Sequence, residues 1–319
     1  MKKLIIVFSK FLLISAIIYC VVIVTLYKIN SPFFKTNNPT QAKKRFGFTA
    51  RKLEQIEKIK QTDILVLGSS LATRNYDSRV FKNNNFTSFN LGTSSQKPNM
   101  TKIIAERYLE NTQTKIVIID VNPFLMLTQD NYETVNVIMN SQKSLYDFEL
   151  FRSSTNLMAF NALIIKYIGI AEKERLKMLN DSVSDKKDRY IEGGFVTTNI
   201  IYKDQDNSPV VKVGSYEPLP NQVEALNKLI EFLKLKNINY ILVLSPVNEA
   251  YLLKKSQMKT EEFKKLSRSY FSKYGNYYDS NDLEKYEKTD FMDFSHLNET
   301  GAKKFTNSLM PILKSKLEK

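Results

Sequence analysis

The sequence predicts an α/β protein in which helices cover both faces of a parallel sheet. Short apolar runs of strand length recur along the chain, and stretches with a helical spacing of apolar residues lie between them. This alternation is typical of parallel sheets, because each crossover between parallel strands needs a connection of helical size. A longer apolar stretch opens the chain. We therefore predict a three-layer α/β/α, flavodoxin-like domain with a parallel sheet, preceded by one N-terminal transmembrane helix.

Five apolar runs are predicted as the strands of this sheet. Each run has the length of a buried strand, and the last is the weakest of the five. Functional side chains are expected just after them, because open parallel sheets bind ligands beyond the carboxyl ends of their strands. The runs cover residues 63–67, 86–91, 115–120, 240–245 and 276–279.

Helical patterns occupy the intervals between the runs. Pro98 and Pro220 each open a stretch whose apolar residues share one helical face. The segment 71–81 is expected to start as a helix directly after the first strand. Further helices are predicted over residues 41–60 and 263–270 and from Ala302 onward, and Pro311 could kink the last of them.

The first thirty residues predict a membrane anchor. Residues 11–27 form a stretch of 17 residues without a charge, apolar apart from Ser15 and Thr25. At a rise of ~1.5 Å per residue this stretch spans roughly 26 Å, near the short end of a membrane-crossing helix. Lys2 and Lys3 precede it, which places the N-terminus in the cytoplasm and the rest of the chain outside. A cleaved signal peptide is the alternative, but no Ala-x-Ala-like site ends the run.

Composition limits the classes of partner. The chain has 319 residues and a formal net charge of +14, which predicts anionic surroundings such as lipid headgroups, a phosphate-bearing polymer or nucleic acid. Because the anchor predicts export, we expect the membrane and an envelope polymer as partners, and no nucleic acid. Cys20 is the only cysteine and lies in the anchor, so one histidine and no exported thiol argue against a metal site. No cofactor is predicted.

The chain is predicted to divide into an anchor (1–29), a stalk with a linker helix (30–60) and a catalytic domain (61–319). The segment from about residue 128 to about 217 interrupts the alternation of strands and helices. It is too long for a simple crossover, so we predict an inserted subdomain. A lid over the site is the usual use of such an insertion.

A candidate nucleophile follows the first predicted strand directly. In Gly68-Ser69-Ser70-Leu71, the glycine permits a tight turn and the next residues can begin a helix. A serine at that place is exposed near amide groups that favour negative charge, which suits an attack that creates an oxyanion. The alternative is that Ser69 or Ser70 merely caps the helix.

The only histidine of the chain gives the candidate serine a candidate base. His296 follows Asp293 by three residues, in a turn just before the last predicted helix. This spacing can place the carboxylate against one ring nitrogen and leave the other nitrogen for a serine hydroxyl. A lone histidine is more often a structural residue, but its combination with Ser70 favours catalysis.

These blocks, in this order, resemble the SGNH hydrolase superfamily, also called GDSL esterases. Its members carry Gly-Asp-Ser-Leu after the first strand and Asp-x-x-His before the last helix. Here Gly68-Ser69-Ser70-Leu71 has Ser69 in the place of the aspartate. The resemblance covers the chain from about residue 63 to the C-terminus, without the insertion. It implies that Ser70 is the nucleophile, His296 the base and Asp293 the acid.

Two further blocks of the family imply an oxyanion hole. The second supplies a glycine after the second strand, which corresponds to Gly92 in Asn90-Leu91-Gly92. The third is Gly-x-Asn-Asp, and Asp120-Val121-Asn122-Pro123 stands in its place. This stretch keeps Asn122 but lacks the glycine and the aspartate. The resemblance therefore implies Gly92 and Asn122 as oxyanion donors, together with the backbone amide of Ser70.

The Gly-Ser-Ser form and the single anchor are similar to one branch of this superfamily. That branch includes the proteins of teichoic-acid D-alanyl transfer and of alginate-type O-acetylation, which work outside the cytoplasm with a polytopic membrane-bound O-acyltransferase. It implies a serine-dependent acyltransferase that acts on an anionic cell-envelope polysaccharide or teichoic-acid-like polymer through an acyl-serine. A membrane-anchored esterase of the same polymer and an inactive polymer-binding scaffold remain alternatives.

Overall fold

A five-stranded parallel sheet forms the centre of the molecule and confirms the predicted fold class. The computed structural model describes residues 1–29, 43–129, 132–154, 156–180, 187–203, 216–249, 252, 258–283 and 285–318. Two strands outside this sheet form a separate antiparallel hairpin. In chain order the strands are β1 (Gln61–Leu67), β2 (Ser88–Asn90), β3 (Gln113–Val121), β4 (Arg189–Ile191), β5 (Phe195–Thr197), β6 (Asn239–Leu244) and β7 (Tyr277–Asp279).

The strand order of the sheet is β2-β1-β3-β6-β7, and every neighbouring pair is parallel. This is the flavodoxin-like order, in which the chain reverses its winding direction beside β1. In the register, Leu67 of β1 lies beside Ile119 of β3, and Val66 lies beside Asn90 of β2. The loops that follow these three strands therefore emerge next to one another at the carboxyl edge.

Helices lie on both faces of the sheet. The described helices of eight or more residues are α1 (Lys2–Lys28), α2 (Lys43–Ile56), α5 (Pro98–Leu109), α6 (Tyr132–Asn140), α7 (Tyr146–Ser154), α8 (Leu157–Tyr167), α9 (Ile170–Asn180), α10 (Pro220–Leu235), α11 (Thr260–Phe271) and α13 (Glu299–Leu317). Shorter helices are α3 (Ser70–Asn75), α4 (Ser78–Asn83) and α12 (Ser280–Leu283).

Alternate side chains of each strand point to opposite layers. Leu65 and Leu67 of β1 join the core beneath α2, α5 and α10, whereas Ile64 and Val66 join the core beneath α3, α4 and α13. Strands buried on both faces have no polar face, which explains why they appear in the sequence as continuous apolar runs. The three layers follow from this pattern.

The helix predicted over residues 71–81 is two helices in the structure. The break falls at Tyr76 and Asp77, where Asp77 caps α4 by accepting a hydrogen bond from the Arg79 amide. The amide of Asp77 itself donates to Thr306 of α13. An aspartate that satisfies free amide groups favours a new helix start over continuation, so the chain bends around α13 at this point.

One described helix is long and apolar enough to cross a membrane. It is α1, whose side chains are exposed from Leu4 to Ile18 and again at Val21 and Val22, as expected for a segment that faces lipid. Its last turns contact the rest of the protein, because Ile23 and Tyr27 are buried. Part of the predicted stalk, residues 30–42, lies outside the described residues.

Between β3 and β6 the chain adds a helical layer and a hairpin. Helices α6 to α9 pack against α1, α2 and α5, whereas the β4–β5 hairpin packs against α3 and the edge strand β2. The carbonyl of Gly193, in the hairpin turn, accepts a hydrogen bond from the amide of Asn90 in β2. The hairpin thereby covers the exposed edge of the parallel sheet.

Candidate active site

The turn after β1 depends on a glycine. Gly68 has φ +143°, a conformation that side chains rarely adopt, and a Cβ at this position would lie 2.7 Å from the Cβ of Asp120. Only glycine therefore lets β1 turn directly into α3 beside β3. This turn brings the serine pair to the carboxyl edge of the sheet.

The two serines of this turn have different contacts. Ser69 is buried and caps α3, since its hydroxyl accepts a hydrogen bond from the Leu71 amide at 3.2 Å. Ser70 begins the helix, and its hydroxyl lies 2.8 Å from Nε2 of His296. The sequence left open which serine is the cap, and the structure assigns that role to Ser69.

The loop before α13 positions the histidine. One carboxylate oxygen of Asp293 accepts hydrogen bonds from the backbone amides of Ser295 and His296, both at 2.8 Å. The loop is also tied to the hairpin region, because Thr198 accepts from the Glu299 amide and Phe291 accepts from the Tyr202 amide. The aspartate thus shapes the turn as well as contacting the ring.

The three predicted catalytic side chains lie in one hydrogen-bonded chain. Oδ2 of Asp293 lies 2.8 Å from Nδ1 of His296, whose Nε2 lies 2.8 Å from the hydroxyl of Ser70. Ser295 adds a hydroxyl 3.0 Å from the same Nδ1. The histidine and aspartate side chains are 20% and 32% exposed, so a substrate can reach the serine end of the chain.

The environment of Asp293 keeps its carboxylate ionised. Burial alone would raise the pKa of Asp293, but hydrogen bonds from the His296 ring and from the amides of Ser295 and His296 lower it below its ordinary value. A carboxylate beside Nδ1 selects the tautomer in which Nε2 is free to accept a proton from a hydroxyl. This is the protonation arrangement that a serine nucleophile requires.

Two of the predicted oxyanion donors have N–H groups without a partner in the described residues. As the first residue of α3, Ser70 has a backbone amide without an intrahelical partner, and no other hydrogen bond to it occurs among the described residues. Asn122 follows β3 and Ser70 follows β1, its neighbour in the sheet, so both residues lie at the carboxyl edge. The Oδ1 of Asn122 accepts from the Phe124 amide. Its Nδ2 makes no hydrogen bond within the described chain and is available to an anion.

Gly92 lies in the same cluster but is more constrained. A Cβ there would lie 2.7 Å from both the Cβ of Ala72 and the amide nitrogen of Thr73, so glycine is needed for β2 to pass close to α3. Its amide donates to Oδ1 of Asn90 at 2.9 Å. To serve as an oxyanion donor, as the resemblance implies, Gly92 must share or exchange this hydrogen bond.

A buried lysine that the sequence analysis missed supports the Gly92 loop. Nζ of Lys52 donates to the carbonyl of Gly92 at 2.7 Å, and the hydroxyl of Thr73 donates to the same oxygen at 2.7 Å. Burial lowers the pKa of Lys52 well below its ordinary value, and the nearby charge of Arg74 adds to this effect. The signal was present in the helical spacing, since residues 49, 52, 53 and 56 form the buried face of α2.

Asp120, also missed as a candidate, lies against the turn at Gly68 that precedes the serine pair. It is 4% exposed, and one of its oxygens accepts hydrogen bonds from the hydroxyls of Tyr76 and Ser245. The other oxygen has no partner among the described residues. Burial raises the pKa of Asp120 to about 7, although the two hydroxyls act in the opposite direction. No group of three potential metal ligands occurs in the part of the chain that the structure describes.

Comparison with known proteins yields only distant similarity. No protein-family model matches the chain, and no curated protein matches its sequence. A structure described provisionally as a platelet activating factor from Streptococcus pneumonia has a TM-score of 0.44 at 11% identity, over 85% of this chain and 93% of that one. One described provisionally as an acylhydrolase from Bacteroides fragilis has a TM-score of 0.41 at 11% identity, over 84% and 96%. The function is therefore inferred from the geometry of the site and not from these two similar structures.

Proposed function

We propose that this protein transfers acyl groups through an acyl-serine on Ser70. The observation that carries the proposal is the continuous chain of hydrogen bonds from Asp293 through His296 to the Ser70 hydroxyl, with 2.8 Å at each step. A hydroxyl, an imidazole and an ionised carboxylate in this order are the groups that activate a serine nucleophile. The free amide of Ser70 lies beside the attacking oxygen, where a tetrahedral intermediate needs a donor.

The reaction follows from these positions. Oγ of Ser70 forms a bond to the carbonyl carbon of an ester or thioester while Nε2 of His296 takes its proton, and Asp293 stabilises the imidazolium. The carbonyl oxygen becomes an oxyanion held by the Ser70 amide and Nδ2 of Asn122, with Gly92 as a further donor. The carbon–leaving-group bond then breaks, and Nε2 returns its proton to the departing oxygen or sulfur. An acyl-serine remains.

The acyl group must then leave Ser70 for an acceptor, and the nature of that acceptor decides whether the protein is an esterase or an acyltransferase. Water yields a free acid, whereas a sugar or polyol hydroxyl yields a new ester, and the same three residues serve both. We favour transfer to an anionic cell-envelope polysaccharide or teichoic-acid-like polymer. The apolar helix α1 supports a single-pass anchor, and the net charge of +14 would gather an anionic polymer outside the membrane. A polytopic membrane-bound O-acyltransferase would supply the acyl group.

Replacing Ser70→Ala tests the proposal directly. We expect turnover of an activated ester such as p-nitrophenyl acetate to fall by about 10⁴-fold or more, because the nucleophile is lost. Circular dichroism should be unchanged, since Ser70 is partly exposed. Ser69→Ala is the matched control, which loses a helix cap worth ~1 kcal/mol but keeps the nucleophile.

Two further measurements separate the alternatives. A fluorophosphonate should label the native chain and not the Ser70→Ala variant. Absence of labelling in the native protein at every pH would instead favour an inactive scaffold. Incubation with an acyl donor and a polymer oligosaccharide then separates the acceptors, because an esterase releases free acid and a transferase produces acylated oligosaccharide.

A further inference from the structure

The surface beside the anchor helix is unusually apolar. Helix α8 exposes only apolar or aromatic side chains along one face, although an exposed helix face is ordinarily polar. Of the ten large apolar side chains beyond Ile29 that are exposed in the described residues, seven belong to residues 145–176: Leu145, Phe148, Leu157, Phe160, Tyr167, Ile168 and Leu176. We call Leu145, Phe148, Leu157, Phe160 and Ile168 the α7–α8 face.

This face is continuous with the anchor. The hydroxyl of Tyr19 in α1 donates to Oδ1 of Asn161 in α8 at 2.6 Å, and the ring of Tyr19 lies 6.2 Å from the ring of Phe160. Phe160 in turn contacts Phe151 of α7, with ring centroids 5.7 Å apart. The aromatic side chains thus form an unbroken path from the anchor helix across α8 to α7.

The position of Tyr19 along α1 sets the depth of the contact. A hydrocarbon layer of ~30 Å takes ~20 residues of helix at ~1.5 Å each. A layer that begins at Leu4, with the Lys10 side chain reaching back to the near headgroups, ends near Ile23, so Tyr19 lies inside it by ~6 Å. A layer that begins at Phe11 would place Tyr19 deeper still. Because α8 packs against Tyr19, Phe160 and its neighbours lie at the boundary of the hydrocarbon and not above the headgroups.

From this placement we propose that the α7–α8 face inserts into the lipid surface beside the anchor, at the level where acyl chains meet headgroups. The chemistry around the face fits anionic lipid. Lys143 lies with its Nζ 5.7 Å from the ring of Tyr167, and both side chains are exposed. Arg152 and Lys173 are exposed on α7 and α9, and Glu149 of α7 is an exposed acidic residue in the same region. Apolar and aromatic side chains bordered by lysine and arginine are typical of helices that lie in a membrane interface.

The proposal is independent of the catalytic chemistry and has a structural consequence. The helices α6 to α9 pack against α2 and α5, which lie on the sheet. A face held in lipid, together with the contacts of α1 on α8, would therefore fix the orientation of the whole sheet relative to the membrane. The catalytic edge would then stay at a constant height above the bilayer.

Tryptophan fluorescence tests the proposal, because the native chain contains no tryptophan. Full-length Phe148→Trp and Leu157→Trp are reconstituted separately into phosphatidylcholine–phosphatidylglycerol vesicles whose acyl chains carry bromine at defined depths. We expect both probes to lose most of their emission with bromine near the headgroup end of the chains. Leu235→Trp, at the end of α10 where the leucine is 83% exposed, should not be quenched. Val22→Trp, in the anchor, should be quenched.

Each other outcome overturns the proposal. If Phe148→Trp and Leu157→Trp show the same emission wavelength and the same lack of bromine quenching as Leu235→Trp, the α7–α8 face lies in water. Short-wavelength emission without bromine quenching would show a face covered by a second copy of the chain. In cells, a photoreactive residue at position 157 that captures only another membrane protein would assign the face to a protein partner. An unquenched Val22→Trp would show that α1 is not inserted and would remove the basis of the proposal.

Discussion

Two aspartates at the carboxyl edge of the sheet show opposite behaviour. Asp293, in the loop before α13, is partly exposed, and its pKa is lowered by the hydrogen bonds that it accepts. Asp120, at the end of β3, is buried, and its pKa is raised to about 7. Asp293 accepts from two backbone amides and an imidazole, whereas Asp120 accepts from two hydroxyls and has one oxygen without a described partner.

Hydrogen-bond donors and solvent, and not residue type, therefore decide which of these carboxyl groups is ionised at a given pH. Burial penalises the charged form, and only charged or several well-aligned donors offset that penalty. Asp147 adds a third case, since it is fully buried but lies 2.7 Å from Nζ of Lys166. Asp147 therefore has a cationic partner within hydrogen-bond distance, whereas Asp120 has only hydroxyl donors, and burial raises the pKa of Asp120 to about 7.

The largest expected effect comes from removing the charge of Asp293. Asp293→Asn should lower turnover by about 10⁴-fold, because an amide beside Nδ1 no longer selects the required tautomer or stabilises the imidazolium. Steady-state kinetics on an activated ester measure the loss. Ser295→Ala is the matched control, because it removes a hydroxyl near the same ring nitrogen and leaves the carboxylate in place. Equal losses in the two variants would contradict a specific role for the negative charge.

A second, smaller effect concerns the buried ion pair. Lys166→Met should lower the free energy of unfolding by roughly 3–5 kcal/mol, because it leaves the buried charge of Asp147 without its nearest partner. Denaturant unfolding of the full-length chain in detergent measures this change. Lys228→Met breaks an exposed pair with Glu224 and should change stability by less than ~1 kcal/mol. If both variants lost the same stability, burial would not be the cause.

The third effect concerns how stability depends on pH. The raised pKa of Asp120 means that the folded chain retains a proton that the unfolded chain loses as the pH rises from about 4 to about 7. Stability should therefore fall over this range, by up to ~1.4 kcal/mol per pH unit from this group. Asp293 has the opposite sign, since its contribution is present above about pH 4 and is lost only as the pH falls further.

Asp120→Asn should flatten the pH dependence between pH 4 and 7. An amide mimics the protonated carboxyl and does not titrate, so the slope of unfolding free energy against pH should decrease. Some slope should remain, because burial also raises the pKa of Asp279. Turnover should change far less than in Asp293→Asn. An unchanged slope in Asp120→Asn would mean that Asp120 is ionised in the folded chain.

Apolar runs and short motifs predicted the strands and the residues of the candidate site. They did not predict the residues that pack around that site. The runs around β1, β3 and β6 are apolar because both faces are buried, so composition alone identifies them. The break at Asp77 was not predicted, because it depends on the contact of its amide with Thr306, distant in the chain. Lys52 lies in the helical spacing of the buried face of α2, but it was missed because lysine is ordinarily exposed and because its partner here is a backbone carbonyl.

Periodicity and composition were enough to predict the parallel α/β fold and the apolar N-terminal helix, and local spacing was enough to name Ser69 or Ser70, Asp293 and His296 as candidate site residues. Only the tertiary structure decided which serine of the pair is a cap and which faces His296, and that the Gly92 amide is already bonded to Asn90. It also decided that Asp120 and Lys52 are buried. Protonation and hydrogen bonding depend on which distant segments pack together, and that information is not local to any stretch of chain.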